Sequence, residues 1–168
     1  MLRNRQLTIP PTVRAHAKRH HFQMKRILII NGPNLNLLGI RKPELYGNYS
    51  LKQLIIELAL YSKAKGYRLE HFQSNHEGEI IDKLHSTIKK RDYIGCIINA
   101  GALTHYSYAI RDAIESIPLD CIEVHLTDIE NREDFRKISV LKDVCCEQIK
   151  GLGIDGYKKA IEILIDNK

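Results

Sequence analysis

Three stretches of the chain concentrate residues able to bind a ligand or move a proton. The first runs Asn31-Gly32-Pro33-Asn34-Leu35-Asn36-Leu37-Leu38-Gly39 and continues through Ile40-Arg41-Lys42-Pro43-Glu44-Leu45-Tyr46-Gly47. The second is Asn99-Ala100-Gly101-Ala102-Leu103-Thr104-His105, and the third is Glu123-Val124-His125-Leu126-Thr127, with Arg132 and Arg136 close behind. A single asparagine in such a place would be an ordinary turn residue. Two asparagine-rich stretches, two histidines, a tyrosine and up to three arginines are more than packing asks for. The set suits a small anionic substrate, because arginines and strand-end amides hold carboxylates. A tyrosine beside an arginine can act as a base, since a nearby cation favours the phenolate over its ordinary value of about 10. A histidine can supply a proton.

Other chemistries find less support. His71 and His76, or His76 and His85, do not form the HExxH pattern of a zinc site. His76 reads instead as part of a helix cap. No Ser-His-Asp set is indicated, and no lysine stands where a Schiff base would be expected. Gly151-Leu152-Gly153-Ile154-Asp155-Gly156 fits G-x-G-x-x-G, but the dinucleotide fingerprint needs a further strand carrying an acid, which the stretch to Lys168 does not supply. That motif is read as a glycine-rich turn.

The residues must be held by a scaffold, and the hydrophobic pattern supplies one. From Met24 onward strand and helix patterns alternate. Strands are expected at Arg26–Asn31, Tyr67–Gln73, Tyr93–Asn99, Leu119–His125 and Val144–Lys150. The first helix is expected from Ser50, which with Gln53 reads as a capping box, to a stop at Gly66. A second box, Ser74 to Glu77, should open a helix with Ile80, Ile81, Leu84 and Ile88 on one face. Further helices are expected at about Tyr106–Ser116, Glu130–Lys137 and Asp155–Ile165. Five strands alternating with five helices imply an α/β fold: a parallel sheet covered on both faces, with the flavodoxin-like order 2-1-3-4-5 natural at this size. Ligands of such sheets bind beyond the carboxyl ends of the strands, where all three chemical stretches fall. The segment from Gly32 to Gly47 is long for a connection of this kind. It suits a mobile lid carrying Arg41 and Tyr46, or an ordinary surface loop whose tyrosine packs down.

The chain has 168 residues, 43% apolar and 27% charged, which is enough for one packed domain. No uncharged apolar window is long enough to cross a membrane as a helix. Of the net charge of +6, five come from Arg3, Arg5, Arg14, Lys18 and Arg19, so the rest of the chain is nearly neutral. Residues 1–23 lack acids, a sustained period and a secretory apolar run. They read as a disordered basic extension, with a transit peptide or nucleic-acid arm as alternatives. Residues 24–168 are expected to form a single domain, which would be the catalytic one. Four cysteines without a CxxC pattern read as reduced thiols of a cytoplasmic protein.

Taken together, NGPNLNLLGIRKPELYG (31–47), QSNHEGEIID (73–82), NAGALTHYS (99–107), EVHLTD (123–128) and GLGIDGY (151–157) resemble type II 3-dehydroquinate dehydratase of the shikimate pathway, across essentially all of residues 26–165. The resemblance implies a lyase that needs neither metal nor cofactor. It would convert 3-dehydroquinate to 3-dehydroshikimate by anti elimination through an enolate. On the same ground Tyr46 is the expected base, Arg41 the group that keeps it ionised, and His125 the acid for the departing hydroxyl. Glu123 would orient a histidine, and Asn34 would help hold the water or oxygen facing the enolate. Asn99, His105 and Arg136 would bind ring hydroxyls, and the amides of Leu126 and Thr127 the carboxylate. Arg132 would join the closed-lid network. Asp112 would reach the site from a neighbouring subunit, in trimers packed into a dodecamer. Nucleic acid and membrane are not expected as partners. Thr127 stands where the family usually has serine, and Lys83 where an aromatic is common; neither touches the acid–base pair. Two other classes stand beside this reading. One is a flavodoxin-like module using Gly32–Gly39 as an anion cradle, which lacks a P-loop and gives Tyr46 and His125 no role. The other is a nucleic-acid accessory protein acting through the basic extension, against which the nearly neutral body argues.

Overall fold

The computed structural model describes residues 24–40, 49–131 and 133–168. Arg41, Tyr46, Arg132 and the basic extension of residues 1–23 lie outside the described residues. Five strands, β1 (Arg26–Asn31), β2 (Arg68–Gln73), β3 (Tyr93–Asn99), β4 (Cys121–His125) and β5 (Glu147–Lys150), form one sheet of order β2-β1-β3-β4-β5. Every neighbouring pair is parallel, so the expected flavodoxin-like topology is the one observed.

Alternation along the strands sorts the core into two layers. Ile27, Ile29, Ile97, Ile122 and Val124 face one side, where they meet α1 (Leu51–Ala64) and α4 (Asp155–Asp166) through Leu54, Leu58, Ala160, Ile161 and Leu164. Leu28, Ile30, Cys96, Ile98 and Cys121 face the other, against Ile80 and Leu84 of α2 (Glu77–His85) and Ile110, Ala113 and Ile114 of α3 (Tyr108–Glu115). Helices on both sides explain why β3 is buried along its whole length and reads as an unbroken apolar run. Each fully buried Leu or Ile contributes about 1.5–3 kcal/mol.

Ser50 caps α1 as expected, with the box to Gln53 complete. The second box is not formed. Ser74 is buried and still tied to the sheet, its amide donating to Asn31 O at 3.1 Å. Its hydroxyl accepts from His76 N and donates to Glu79, and the helix cap moves on to His76, which makes no side-chain cap bond. At its other end α2 stops at His85, and Ile88 lies beyond it, exposed. The next helix begins at Tyr108 rather than Tyr106, because Gly101–His105 forms a 3-10 turn and Ser107 is the cap, accepting from Ile110 N. The expected helix at Glu130–Lys137 is instead two 3-10 turns, Ile129–Asn131 and Asp134–Arg136, separated by an extended Glu133 (φ −57°, ψ 146°). Lys142–Val144 is a 3-10 turn as well, which shortens β5 to four residues. Four α-helices therefore stand among the described residues where five were expected.

Candidate active site

The carboxyl ends of β1, β3 and β4 open into a cleft of about 270 Å³, at the small end of the usual range for ligand sites. Asn34, Asn99, His105, His125, Leu126, Thr127 and Arg136 all line it. Seven of the twelve expected site residues are thus brought to one place. Glu123 lies directly beneath, fully buried. Asp112 is exposed on α3, does not line the cleft, and makes no ion pair among the described residues.

Glu123 and His125 are two apart on β4 and therefore share a face of the sheet. His125 Nε2 is 2.9 Å from Glu123 Oε1. The same carboxylate accepts the hydroxyls of Thr104 and Ser139, the latter at 2.8 and 2.9 Å from its two oxygens, and the amide of Gln148 at 2.7 Å. Burial pushes the Glu123 carboxyl upward, but His125, Thr104 and Ser139 outweigh it and hold it below the ordinary range. An ionised carboxylate only accepts, so Nε2 of His125 carries a proton and Nδ1 is the nitrogen left for the cleft.

His105 Nδ1 donates to the Ile138 carbonyl at 2.7 Å. Burial lowers its proton affinity, with His125 and Arg136 adding to the effect against the opposing Ile138 bond and Glu123 charge. The ring is neutral at physiological pH, with Nε2 as an acceptor. Arg136 pairs with Glu133 at 3.3 Å and lies over the Phe135 ring.

Local sequence explains how the loops reach this geometry. Gly32 N donates to Asn99 O at 2.8 Å, and a β-carbon on Gly32 would stand 2.5 Å from Ala100 O. Only glycine lets the two loops touch. Two residues on, Asn34 takes the left-handed conformation (φ 67°), alone among described non-glycine residues, and its amide donates to Asn75 Oδ1. Asparagine tolerates that conformation better than most side chains.

Thr104, Ser139 and Gln148 were missed in the sequence. One sign of them is present there: an acid within the apolar strand CIEVH must find buried donors. The donors come from positions 19, 16 and 25 residues away, and spacing alone cannot reveal them.

A family model described as "Dehydroquinase class II" matches residues 25–165. The 3-dehydroquinate dehydratase of Bacillus pumilus is 49% identical over 142 residues, covering 84% of this chain and 95% of that protein. The 3-dehydroquinate dehydratase of Thermotoga maritima is 48% identical over 139 residues, covering 83% and 94%. The crystal structure of the type II dehydroquinase from Butyrivibrio crossotus superimposes with a TM-score of 0.81 at 48% identity, covering 84% of this chain and 97% of that one.

Proposed function

Because the chain belongs to the class II dehydroquinase family, we propose that it dehydrates 3-dehydroquinate to 3-dehydroshikimate by anti elimination through an enolate, with neither metal nor Schiff base. The observation that carries this reading is His125, lining the cleft with Nε2 held by the buried Glu123 carboxylate, in a cleft that Asn34, Asn99, His105, Thr127 and Arg136 also line.

In this mechanism the Tyr46 phenolate, kept ionised by Arg41, takes the proton on the carbon next to the ketone. The electron pair moves into the carbonyl and forms an enolate. Asn34, through a water or directly, holds the oxygen facing that charge, an oxyanion-type role. As the enolate collapses, the carbon–oxygen bond on the opposite side breaks. His125 Nδ1 gives its proton to the departing hydroxyl, which leaves as water, and solvent resets both groups. Glu123 stabilises the imidazolium that precedes this transfer. The neutral His105 accepts from one ring hydroxyl, while Asn99 and Arg136 hold others. The Leu126 and Thr127 amides and the Thr127 hydroxyl take the carboxylate. Arg132 joins the closed lid, and Asp112 serves a neighbouring subunit's site within trimers of a dodecamer. Four unbridged cysteines fit a reducing, cytoplasmic setting.

The test is direct. EDTA-treated protein mixed with 3-dehydroquinate should develop the ultraviolet absorbance of a conjugated enone. Tyr46→Phe and His125→Ala should fold normally and lose on the order of 10²–10⁴-fold in kcat. Absence of the enone with the unaltered protein, or near-normal turnover by Tyr46→Phe, would overturn the reading.

A further inference from the structure

The glycine-rich turn GLGIDGY has no part in the steps above, yet it is hydrogen-bonded to two residues that line the cleft, His125 and Leu126. Gly151 and Gly153 are left-handed (φ 76° and 55°). Their amides donate to His125 O at 3.2 Å and Leu126 O at 2.9 Å, so the turn closes over the end of β4. Two residues after Gly153 the chain enters the first turn of α4, and Tyr157 projects beneath the sheet, completely buried.

Its hydroxyl joins a buried chain of polar groups. Tyr157 donates to Asn31 Oδ1 at 2.5 Å and accepts from Asn99 Nδ2 at 3.0 Å. Asn31 Nδ2 lies 3.1 Å from His71 Nε2. Burial lowers the proton affinity of His71, so its ring is neutral and Nε2 can accept. At the cleft end, Gly101 N donates to Asn99 Oδ1 at 3.2 Å. A backbone N–H can only donate, and the single Tyr157 proton is committed to Asn31. Both ends therefore demand the same Asn99 orientation: oxygen toward Gly101, nitrogen toward Tyr157. One hydrogen on Asn99 Nδ2 serves Tyr157, which leaves the other for a ligand of the cleft that Asn99 lines.

We infer that Tyr157 is a positioning residue for substrate recognition: its hydroxyl fixes the Asn99 carboxamide so that the cleft meets an N–H donor, matched to a lone pair on a substrate oxygen. The inference rests on the dehydratase reading above. It assigns the GLGIDGY turn a double task, holding the His125–Leu126 backbone with its glycines and the Asn99 side chain with its tyrosine.

The experiment is a double-mutant cycle with 3-dehydroquinate as substrate. Tyr157→Phe keeps the buried ring and removes the hydroxyl, so Asn99 keeps only the 3.2 Å bond from Gly101 N to hold its carboxamide and loses the contact that fixes its nitrogen. KM should rise roughly three- to tenfold, the worth of one neutral hydrogen bond, with kcat within about twofold. In an Asn99→Ala background the same change should leave KM where Asn99→Ala alone puts it. A merely structural role for the hydroxyl would lower the melting temperature in both backgrounds but would not cancel in KM. If Tyr157→Phe does not fold, Asn31→Ser gives the same cycle, because it keeps Tyr157 and removes the acceptor that aims it. An unchanged KM, or equal KM effects with and without Asn99, overturns the inference. If the unaltered protein forms no enone, the dehydratase reading itself falls.

Discussion

Glu123 combines full burial with a negative charge, and four donors make that combination tolerable. Its carboxyl is held below the ordinary range in the folded chain, against about 4.3 when unfolded. The folded state thus binds this proton less readily than the unfolded state. The stability it contributes is complete above the unfolded value and is lost as pH falls through the folded value. Glu123→Gln turns one acceptor oxygen into a donor that faces other donors. It should cost about 3 kcal/mol at pH 7. Urea unfolding of both proteins between pH 7 and pH 3 should show this difference shrinking in the acid range. A difference independent of pH would mean that the carboxylate charge is not what the site uses. Turnover should fall by about 10²-fold, since His125 loses its anionic partner.

The connections, more than the strands, decide where the cleft forms. The loops after β1 and β3 touch at Gly32, and Asn34, Asn99 and Gly101 are all set from that contact. Gly32→Ala drives a β-carbon into a backbone carbonyl that has no flexible end to give way. It should cost about 1–3 kcal/mol and lower kcat/KM further by displacing Asn34. Gly78→Ala, in α2 with nothing within 4 Å of the added carbon, should instead stabilise the protein by about 0.5 kcal/mol with unchanged kinetics. Chemical denaturation and steady-state assays on the pair separate these outcomes. The same contrast between regular elements and connections governs what could be read from the amino acids. The boundaries of β1 and β3 followed from apolar runs, and the Ser50 box from local chemistry, because those features are decided within a few residues. Ser74 carries equally good local chemistry, but its amide still pairs with Asn31 of β1 and the helix must start later. Likewise the 129–137 stretch has helix-forming residues, yet the turns that form there are too short to sustain α-helical nucleation. Seven cleft residues were legible because strand ends are predictable. The Thr104, Ser139, Gln148 and Tyr157 contacts were not, because each joins segments distant in the chain.

One proposed site residue, Asp112, stands apart from the cleft. Asp112 sits on the exposed side of α3, away from the cleft of its own chain. Near it in the chain, Tyr106 and Tyr108 are 61% and 66% exposed, and Phe135 and Ile138 beyond the cleft are each 65% exposed. Large apolar side chains in that number suit a surface covered by a second copy of the chain. The pairing of Arg111 with the Val140 carbonyl, and of Arg136 with Glu133, leaves neither arginine committed to Asp112 within one chain. Complementation decides whether Asp112 serves a neighbour. Asp112→Ala and Tyr46→Phe proteins, each weakly active, are dissociated, mixed in equal amounts and reassembled. In a closed ring every site then has an even chance of an intact Tyr46 from its own chain and an even chance of an intact Asp112 from the next. About a quarter of the sites should be fully intact, and activity should rise toward a quarter of the unaltered level. Hybrids verified by mass that show only the mean of the two parents would mean that Asp112 contributes nothing across a subunit boundary.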